Sequence, residues 1–319
     1  MALRGGIDLG GTKIQSAIVA EDGSVLASDR RETPTVGGPA DVTAALAASL
    51  RAAAEAARVD PRELAGVGVG SPGEVDETRG TVTSARNLPD WEGEFPVGDV
   101  LSQDLGVPVR LGNDVQMATE AEFHLGGARD EDSLLGVFWG TGVGGGLILD
   151  GKPWLGRGAA GEIGHVVVKK GGARCPCGRR GCMEAYAGRG AMEARARKRQ
   201  ASGESTQLFK IMQDRGRTRL TSGVWARALR RSDPLALDLI DDAIEALGAG
   251  IASAVNLLDV PTVIIGGGLG LRLGEPYVDR IRTAMLPHLF VDWSPPRVLV
   301  ATLGDLGGAQ GAALQIDAG

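Results

Sequence analysis

The chain has 319 residues, of which 43% are hydrophobic and 23% are charged, and its formal net charge at pH 7 is -6. This length is sufficient for two domains, and the composition is that of a soluble globular protein. The negative balance gives no electrostatic reason to bind nucleic acid, because phosphate backbones are held by Lys and Arg. No apolar window is long enough to span a bilayer and no leader precedes the first strand, so we expect a cytoplasmic protein without a membrane anchor.

The first predicted elements are two strands joined by a glycine turn. Gly6 to Leu9 is a short apolar strand that carries Asp8, and Ile14 to Ala20 is the next strand. The turn between them, Gly10-Gly11-Thr12-Lys13, offers backbone N–H groups, a hydroxyl and an ammonium group, all of which bind phosphate. Asp8 would then lie near the phosphates and hold Mg²⁺ through water. A tight hairpin without a ligand is the alternative interpretation of this turn.

Two further strands of the first half end in candidate ligand-binding residues. The strand 64–69 leads into Gly70-Ser71-Pro72-Gly73, and the strand 107–111 leads into Asn113-Asp114 and a helix over 115–125. Ligands of α/β sheets bind at the carboxyl ends of strands, which favours a functional role for the carboxylate. Capping of the helix by Asn113 or Asp114 is an alternative that needs no ligand.

The second half repeats the order of the first. A strand at 135–138 leads into a glycine loop, Gly140-Thr141-Gly142 and on to Gly146, and a strand at 147–149 ends at an Asp150-Gly151 turn. The first half has its equivalent turn at Asp22-Gly23, an offset of about 130 residues. The glycine spacing also matches dinucleotide-binding loops, but a strand follows it where those loops open a helix. The duplication predicts two related subdomains that each offer a Gly-Thr hairpin to a shared cleft.

All three cysteines lie in one short segment together with a histidine, in the spacing His165-x9-Cys175-x-Cys177-x4-Cys182. Three thiolates and one imidazole complete a tetrahedral zinc set and leave no position for a reacting water, so the predicted site is structural. Unligated thiols and a disulfide are the alternatives. Three cysteines cannot all pair, however, and nothing else indicates an oxidising compartment.

Two carboxylates flank this segment. Glu162 precedes His165 and Glu184 follows Cys182, while the second ring nitrogen of His165 faces away from any metal. A metal-held loop that presents two carboxylates and an imidazole nitrogen can hydrogen-bond several hydroxyl groups at once. This combination indicates a sugar ligand.

The remainder of the chain supplies helices and a third glycine segment. Residues 195–231 are rich in arginine, which favours a solvated helical face, with an anionic partner as the alternative. A long helix over 233–258 leads to a buried strand that ends in Gly266-Gly267-Gly268, where a flat ring or a phosphate could lie against the backbone. A last strand over 298–303 precedes a terminal helix over 307–316, which is predicted to cross back to the first subdomain.

Taken together, these segments resemble the ROK family (repressor, open reading frame, kinase) of sugar kinases over nearly the whole chain. The resemblance is carried by DLGGTK at 8–13, SPG at 71–73, ND at 113–114, GTGVGGG at 140–146, GEIGH at 161–165, CPCGRRGCME at 175–184 and IIGGG at 264–268. It implies an α/β, actin-like (ribonuclease-H-like) duplicated two-lobed ATPase fold with a structural zinc loop. We expect a small lobe over 1–115, completed by 303–319, and a large lobe over 116–302 with the zinc loop at 161–184.

The resemblance also implies roles for individual residues. Asp114 matches the catalytic base. The matches to sugar contacts are Gly73, Asn113, Asp114, Glu162, His165 and Glu184. The matches to nucleotide-binding residues are Asp8, Gly10, Gly11, Thr12, Lys13, Gly140, Thr141, Gly142, Gly266, Gly267 and Gly268. The matches to zinc ligands are His165, Cys175, Cys177 and Cys182.

The expected function is therefore an ATP-dependent, Mg²⁺-requiring kinase that phosphorylates the 6-hydroxyl of a hexose, with glucose as the default substrate. Alternative substrates are N-acetylglucosamine, mannose and fructose, and polyphosphate is an alternative donor, for which the basic stretch 195–231 is the only indication. A sugar-sensing regulator is disfavoured, because the first phosphate loop begins at Gly10 and leaves no room for a DNA-binding segment before it. An ATPase that acts on proteins is disfavoured by the sugar-facing residues. The resemblance implies a homodimer or a dimer of dimers.

Overall fold

A computed structural model describes residues 2–85 and 88–316 of the chain. The chain forms two compact units, the first over residues 1–130, 153–160 and 302–319 and the second over 131–152 and 161–301. The division after residue 130 falls later than the expected boundary at 115. The reason is that the helix at 114–124 packs against the C-terminal helix of the same unit.

The first unit contains two sheets and four α-helices in the part of the chain that the structure describes. Its strands are β1 (Arg4–Leu9), β2 (Lys13–Val19), β3 (Val25–Glu32), β4 (Val67–Ser71), β5 (Glu74–Asp76), β6 (Thr81–Thr83), β7 (Glu94–Phe95) and β8 (Val109–Asn113). Its helices are α1 (Pro39–Ala57), α2 (Val97–Leu105) and α3 (Asp114–His124), with a C-terminal helix over Gly307–Leu314.

The second unit has one sheet and a larger set of helices. Its sheet consists of β9 (Leu134–Trp139), β10 (Val143–Leu149), β11 (Lys152–Pro153), β12 (Thr262–Gly266) and β13 (Arg297–Val300). Its helices are α4 (Glu184–Ala187), α5 (Arg189–Ala201), α6 (Leu208–Asp214), α7 (Ser222–Arg230), α8 (Pro234–Leu258), α9 (Gly267–Leu273) and α10 (Glu275–Met285), and the C-terminal helix of the first unit is α11. The glycines at 144–146, expected in a loop, lie within β10.

The two five-stranded sheets have the same topology. Their strand orders are β3-β2-β1-β4-β8 and β11-β10-β9-β12-β13. In each sheet the first two strands in the chain form an antiparallel hairpin, and two later strands continue the sheet by parallel pairing from the first strand of that hairpin. On the other side of the first hairpin, β3 pairs antiparallel with β2. The duplication that the sequence predicts is therefore present at the level of topology.

Glycines allow α11 to pack directly on the first sheet. A Cβ atom at Gly6 would lie 1.9 Å from the carbonyl oxygen of Ala309, and one at Gly68 would lie 1.7 Å from that of Ala312. On the other side of the helix, a Cβ at Gly311 would lie 1.9 Å from the carbonyl oxygen of Met117 in α3. Any side chain at these positions would force backbone apart, so the glycines fix α11 between the sheet and α3.

The basic stretch forms helices with paired arginines. Arg195 pairs with Asp242 of α8, Arg197 with Glu193, and Arg199 with Glu204 and Asp238. These carboxylates compensate the charge of three arginines of α5. In addition, α6 and α7 bury apolar side chains, so the stretch is an integral part of the second unit.

Among the described residues, no helix is both long enough and apolar enough to cross a membrane.

Candidate functional site

The first phosphate-binding candidate is a closed turn between β1 and β2. The N–H of Gly10 donates to the carbonyl of Lys13 (2.9 Å), and the hydroxyl of Thr33 donates to the carbonyl of Gly10 (2.6 Å). The ammonium group of Lys13 lies 3.0 Å from the carboxylate of Asp305, which precedes α11. Gly11 and Thr12 are at the tip of this turn, where Gly11 is partly buried and Thr12 is exposed.

Asp8 lies just before this turn in a confined environment. A Cβ at Gly308 would lie 2.7 Å from the carboxyl carbon of Asp8, so a side chain there would have to displace the carboxyl group. Burial raises the pKa of Asp8 to about 6, with Lys13 lowering it and Asp305 raising it. A carboxyl group in this position is sensitive to a nearby cation, since positive charge favours its ionised form.

Three further candidates lie at the carboxyl ends of neighbouring parallel strands. β4 and β8 pair so that Ser71 is opposite Asn113, and the chain then turns at Gly73, where φ is +91°. A Cβ at Gly73 would lie 2.9 Å from the carbonyl oxygen of Thr83. The turn at 71–73 and the start of α3 thus lie at the same edge of the sheet.

Asn113 and Asp114 both cap α3. The side-chain oxygen of Asn113 accepts hydrogen bonds from the N–H groups of Val115 and Gln116, each at 3.0 Å, and Asp114 Oδ1 accepts from Val115 at 2.9 Å. The capping role considered from the sequence is therefore real. Capping is compatible with ligand binding, because it uses only the side-chain oxygen of Asn113. The NH₂ group of Asn113 can still donate a hydrogen bond to a ligand. The cap also fixes the direction of both side chains.

The four predicted metal ligands converge in the second unit. Their donor atoms all lie within 4.8 Å of one another, with His165 Nδ1 3.8 Å from Cys175 Sγ and Cys177 Sγ 3.8 Å from Cys182 Sγ. Tetrahedral zinc with Zn–S bonds of about 2.3 Å separates two sulfur ligands by about 3.8 Å. Burial raises the pKa of the Cys175 thiol. The spacing of the donor atoms and the set of three sulfurs and one imidazole nitrogen fit zinc.

The chain around these ligands is shaped by turns that need glycine. The N–H of Gly178 donates to the carbonyl of Cys175 (2.9 Å), and Gly178 has φ +92°. Gly181 has φ +83°, and a Cβ there would lie 1.9 Å from the carbonyl oxygen of Lys169. The hydroxyl of Tyr186 accepts a hydrogen bond from the N–H of Ala173 (2.8 Å) and ties the loop to α4.

Glu162, His165 and Glu184 lie around this cluster. His165 Nε2, the ring nitrogen opposite the cysteine side, lies 3.8 Å from the carboxylate of Glu162. Glu184 Oε1 lies 3.8 Å from Cys175 Sγ, and its Oε2 accepts a hydrogen bond from the N–H of Val143 (2.9 Å). Glu184 therefore connects the cysteine cluster to the second glycine loop, a contact that its sequence position does not reveal.

The second glycine loop is shorter than expected and is held by α5. The N–H of Gly140 donates to the carbonyl of Gly142 (2.9 Å), and β10 begins at Val143. The N–H groups of Arg189 and Gly190 donate to the carbonyls of Gly140 and Thr141, at 3.1 and 3.0 Å. A Cβ at Gly142 would lie 2.2 Å from Glu184 Oε2, so a side chain at this position would have to displace the Glu184 carboxylate.

The third glycine segment is a helix start and not a free loop. Gly266 ends β12, and Gly267, with φ +79°, begins α9 together with Gly268. A Cβ at Gly267 would lie 2.6 Å from the carbonyl oxygen of Trp139. The indole of Trp139 is buried and donates to the carbonyl of Ala187 (2.7 Å), which accounts for this bulky residue before the second loop.

Comparison with known proteins identifies relatives that match this chain over nearly its full length. The model of the ROK family matches residues 4–318. The chain is 34% identical to a glucokinase of Streptomyces coelicolor over 98% of this chain and 97% of that protein. It is 33% identical to the N-acetylgalactosamine kinase AgaK of a Shewanella species over 97% of this chain and 95% of that protein.

A solved structure is also similar to this chain over its full length. The crystal structure of a ROK family glucokinase from Streptomyces griseus in complex with glucose and AMPPNP is similar with a TM-score of 0.85 and 33% identity, over 100% of both chains. This similarity confirms the actin-like α/β fold predicted from the sequence. With a family match from residue 4 to residue 318, the chain belongs to the ROK family.

Proposed function

We propose that this protein is an ATP-dependent hexose kinase that converts glucose to glucose 6-phosphate. The observation that carries the proposal is the full-length similarity to a glucokinase whose structure contains glucose and AMPPNP. Independent support comes from the chain itself. It carries a carboxylate at a strand end, two glycine turns suited to phosphates and a group of hydroxyl-binding side chains beside a cysteine cluster.

In the proposed reaction, Asp114 takes the proton of the 6-hydroxyl as that oxygen attacks the γ-phosphorus of Mg-ATP. The new O–P bond forms while the bond to the β-phosphate oxygen breaks, and ADP leaves. Gly73, Asn113, Glu162, Glu184 and the Nε2 of His165 orient the sugar hydroxyls. Positioning carries much of the rate, because phosphoryl transfer depends on an in-line geometry and dispersed charge.

The nucleotide is proposed to bind to the glycine segments. The turn Gly10-Gly11-Thr12-Lys13 and the loop Gly140-Thr141-Gly142 would hold the phosphates with backbone N–H groups and two threonine hydroxyls. Asp8 would lie beside the Mg²⁺ of the donor, and Gly266, Gly267 and Gly268 would lie against the adenosine. These assignments are supported by the short turns and, for the third segment, by Gly266 and Gly267, where a Cβ would lie 2.6 Å from neighbouring atoms.

We further propose that His165, Cys175, Cys177 and Cys182 hold a structural Zn²⁺. When bound, the ion supplies rigidity to the loop and no acid–base chemistry, since four protein ligands complete its coordination. The loop then keeps Glu162, Glu184 and the outer nitrogen of His165 in fixed positions for the sugar. Reduced thiols in this role are consistent with a cytoplasmic location.

The variant Asp114→Asn tests the proposed base. It keeps the shape of the side chain and removes the proton acceptor, so kcat should fall by at least about 10²-fold. The dissociation constant for glucose, measured by calorimetry, should change by less than about threefold, because the amide still accepts hydrogen bonds. Asp104→Asn, which removes an exposed carboxylate of the same unit, is the matched control. A kcat close to that of the unchanged protein would refute the role of Asp114.

The hexose itself is decided by a substrate panel. Glucose is the expected best substrate, and N-acetylgalactosamine is the main competitor because a relative of equal similarity is named for it. N-Acetylglucosamine, mannose and fructose complete the panel, with ADP release as the readout. Replacing ATP by polyphosphate, with sugar 6-phosphate as the readout, tests the alternative donor. A higher kcat/KM for an N-acetylated sugar than for glucose would change the assigned substrate but not the reaction.

We also propose that the chain forms a homo-oligomer. Three large apolar side chains are largely exposed, namely Leu257 near the end of α8 at 83%, and Phe290 at 82% and Trp293 at 78% in the segment after α10. Asn256 holds the segment after α10 by hydrogen bonds with the carbonyl of His288 and the N–H of Phe290, both at 2.8 Å. Exposed apolar groups on an ordered surface are typical of protein interfaces.

A further inference from the structure

Arg189 is a charged residue beside the second glycine loop that no sequence motif singles out. It begins α5, and its guanidinium donates one hydrogen bond to the hydroxyl of Thr141 (2.8 Å) and one to the hydroxyl of Ser222 (2.9 Å). Its backbone N–H also donates to Gly140. Arg189 therefore joins the glycine loop to the start of α7 through both backbone and side chain.

The protein compensates the charge of Arg189 only in part, through the nearby carboxylate of Glu193. Glu193 is the carboxylate whose charge acts on it, but Glu193 Oε1 accepts from Arg197 and Oε2 accepts from the N–H of Leu220. Among the described residues, no carboxylate forms an ion pair with Arg189. Burial lowers the pKa of Arg189, and the neighbouring Arg219 lowers it further against the opposite effect of Glu193. A partly buried cation beside a second cation, with hydroxyl groups as its hydrogen-bond partners, is further stabilised by an anion that binds it directly.

The groups around Arg189 are those expected to surround the donor. A Cβ at Gly268 would lie 3.6 Å from the hydroxyl of Ser222, and a Cβ at Gly140 would lie 3.9 Å from the N–H nitrogen of Gly268. The glycine loop and the start of α9 therefore approach each other next to the guanidinium. Two of the five N–H groups of Arg189 are used by Thr141 and Ser222, so three remain for a ligand.

We propose that Arg189 is a donor-binding residue that hydrogen-bonds a phosphate oxygen of the ATP chain at the junction of the second glycine loop and α9. The inference rests on the proposed kinase function and adds a cationic contact at the second glycine loop, whose proposed phosphate contacts are otherwise glycine and threonine. Charge-assisted hydrogen bonds from a planar guanidinium are well suited to phosphate oxygens. The bonds to Thr141 and Ser222 hold the side chain in place before the nucleotide arrives.

The experiment compares Arg189→Met with the unchanged protein in binding adenosine, AMP, ADP and ATP, by calorimetry without sugar. We expect ADP and ATP to bind at least about tenfold more weakly to the variant, with adenosine and glucose changed by less than about twofold. Arg189→Lys should recover part of the loss, because it restores the charge without the planar fork. Arg199→Met removes the same charge from the same helix at a position already paired with carboxylates, and it should leave ADP affinity within about twofold.

Two outcomes would overturn the inference. One is unchanged ADP affinity in Arg189→Met. The other is an equal loss of affinity for adenosine and ATP, which would mean that Arg189 only positions the loop through Thr141 and Ser222. Inorganic tripolyphosphate provides a further arm: it should compete with ADP for the unchanged protein and compete markedly less for Arg189→Met. Competition that is the same in both proteins also contradicts the contact.

Failure of the kinase proposal would look different. If the unchanged protein bound ADP but transferred no phosphate from ATP to any hexose, the function would be wrong while the comparison of ADP affinities still tested Arg189. If the unchanged protein were an active kinase and Arg189→Met bound ADP equally well, only the inference about Arg189 would be lost.

Discussion

At the scale of single residues, the Asp8 carboxyl group links pH to stability. Its pKa is about 6 in the folded protein and 3.8 without the fold, so the folded state binds this proton more tightly. The stabilising contribution of Asp8 is therefore fully present below 3.8, its pKa in the unfolded chain, and is lost as the pH rises through about 6, its pKa in the folded protein. Above that pH the ionised carboxylate is enclosed and destabilises the protein.

Asp8→Asn removes this dependence. The unchanged protein should lose stability between pH 4 and pH 7 as Asp8 ionises, whereas the variant has no carboxyl group at this position. The free energy of unfolding of the variant minus that of the unchanged protein should therefore increase over this range, by at most about 3 kcal/mol. Urea unfolding at several pH values measures this difference, and Asp104→Asn serves as an exposed control. A difference that stays constant over this pH range would show that Asp8 titrates as it does in the unfolded chain.

Gly142 offers a second test at the scale of residues, with Gly140 as its matched control. Gly142→Ala would place a methyl group 2.2 Å from Glu184 Oε2, whereas at Gly140 the nearest atom to a Cβ is 3.9 Å away. Displacement of Glu184 should weaken glucose binding by about tenfold or more, and Gly140→Ala should change it by less than about twofold. Calorimetry with glucose and no nucleotide separates this effect from phosphate binding. Equal effects of the two variants would contradict the position of Glu184.

At the scale of elements, the cysteine loop is expected to depend on its metal. Cys177→Ala removes one of four ligands, so metal content should fall from one zinc per chain to near zero, and the melting temperature should fall with it. The KM for glucose should rise at least about fivefold, since Glu162, Glu184 and His165 lose their support, while the KM for ATP should change little. Elemental analysis and steady-state kinetics provide the readouts. Normal zinc content together with a normal KM for glucose would exclude the structural zinc.

Prediction of elements from the sequence succeeded where periodicity and caps were strong. The helix expected over 233–258 is α8, which begins at Pro234 with Asp233 as its cap, because an apolar stripe and a capping carboxylate are local signals. Glycine-rich segments were predicted less accurately. Gly144–Gly146 were expected in a loop but pair with β9 as part of β10, since pairing with a neighbouring strand overrides the low strand propensity of glycine.

At the scale of the whole molecule, self-association has a direct test. Trp293→Ser together with Phe290→Ser removes two exposed aromatic side chains from the proposed contact surface. Sedimentation should show a dimer or tetramer for the unchanged protein and a smaller species for the double variant. The control is a single substitution at Val36, an exposed residue in a loop of the first unit, which should not change the sedimenting species. Sedimentation of the unchanged protein as a monomer would contradict the proposed homo-oligomer.

The sequence alone determined the duplicated order of strands and glycine turns, the residues able to bind zinc and the family resemblance. These depend on patterns that are local or that repeat along the chain. Only the tertiary structure decided that Asp305 lies beside Lys13, that Glu184 binds the N–H of Val143 and that Arg189 lies between Thr141 and Ser222. Each of these contacts joins residues that are distant in the chain, and nothing in the local spacing specifies them. They arise from close packing, in which glycines let backbone and side chains approach to hydrogen-bonding distance.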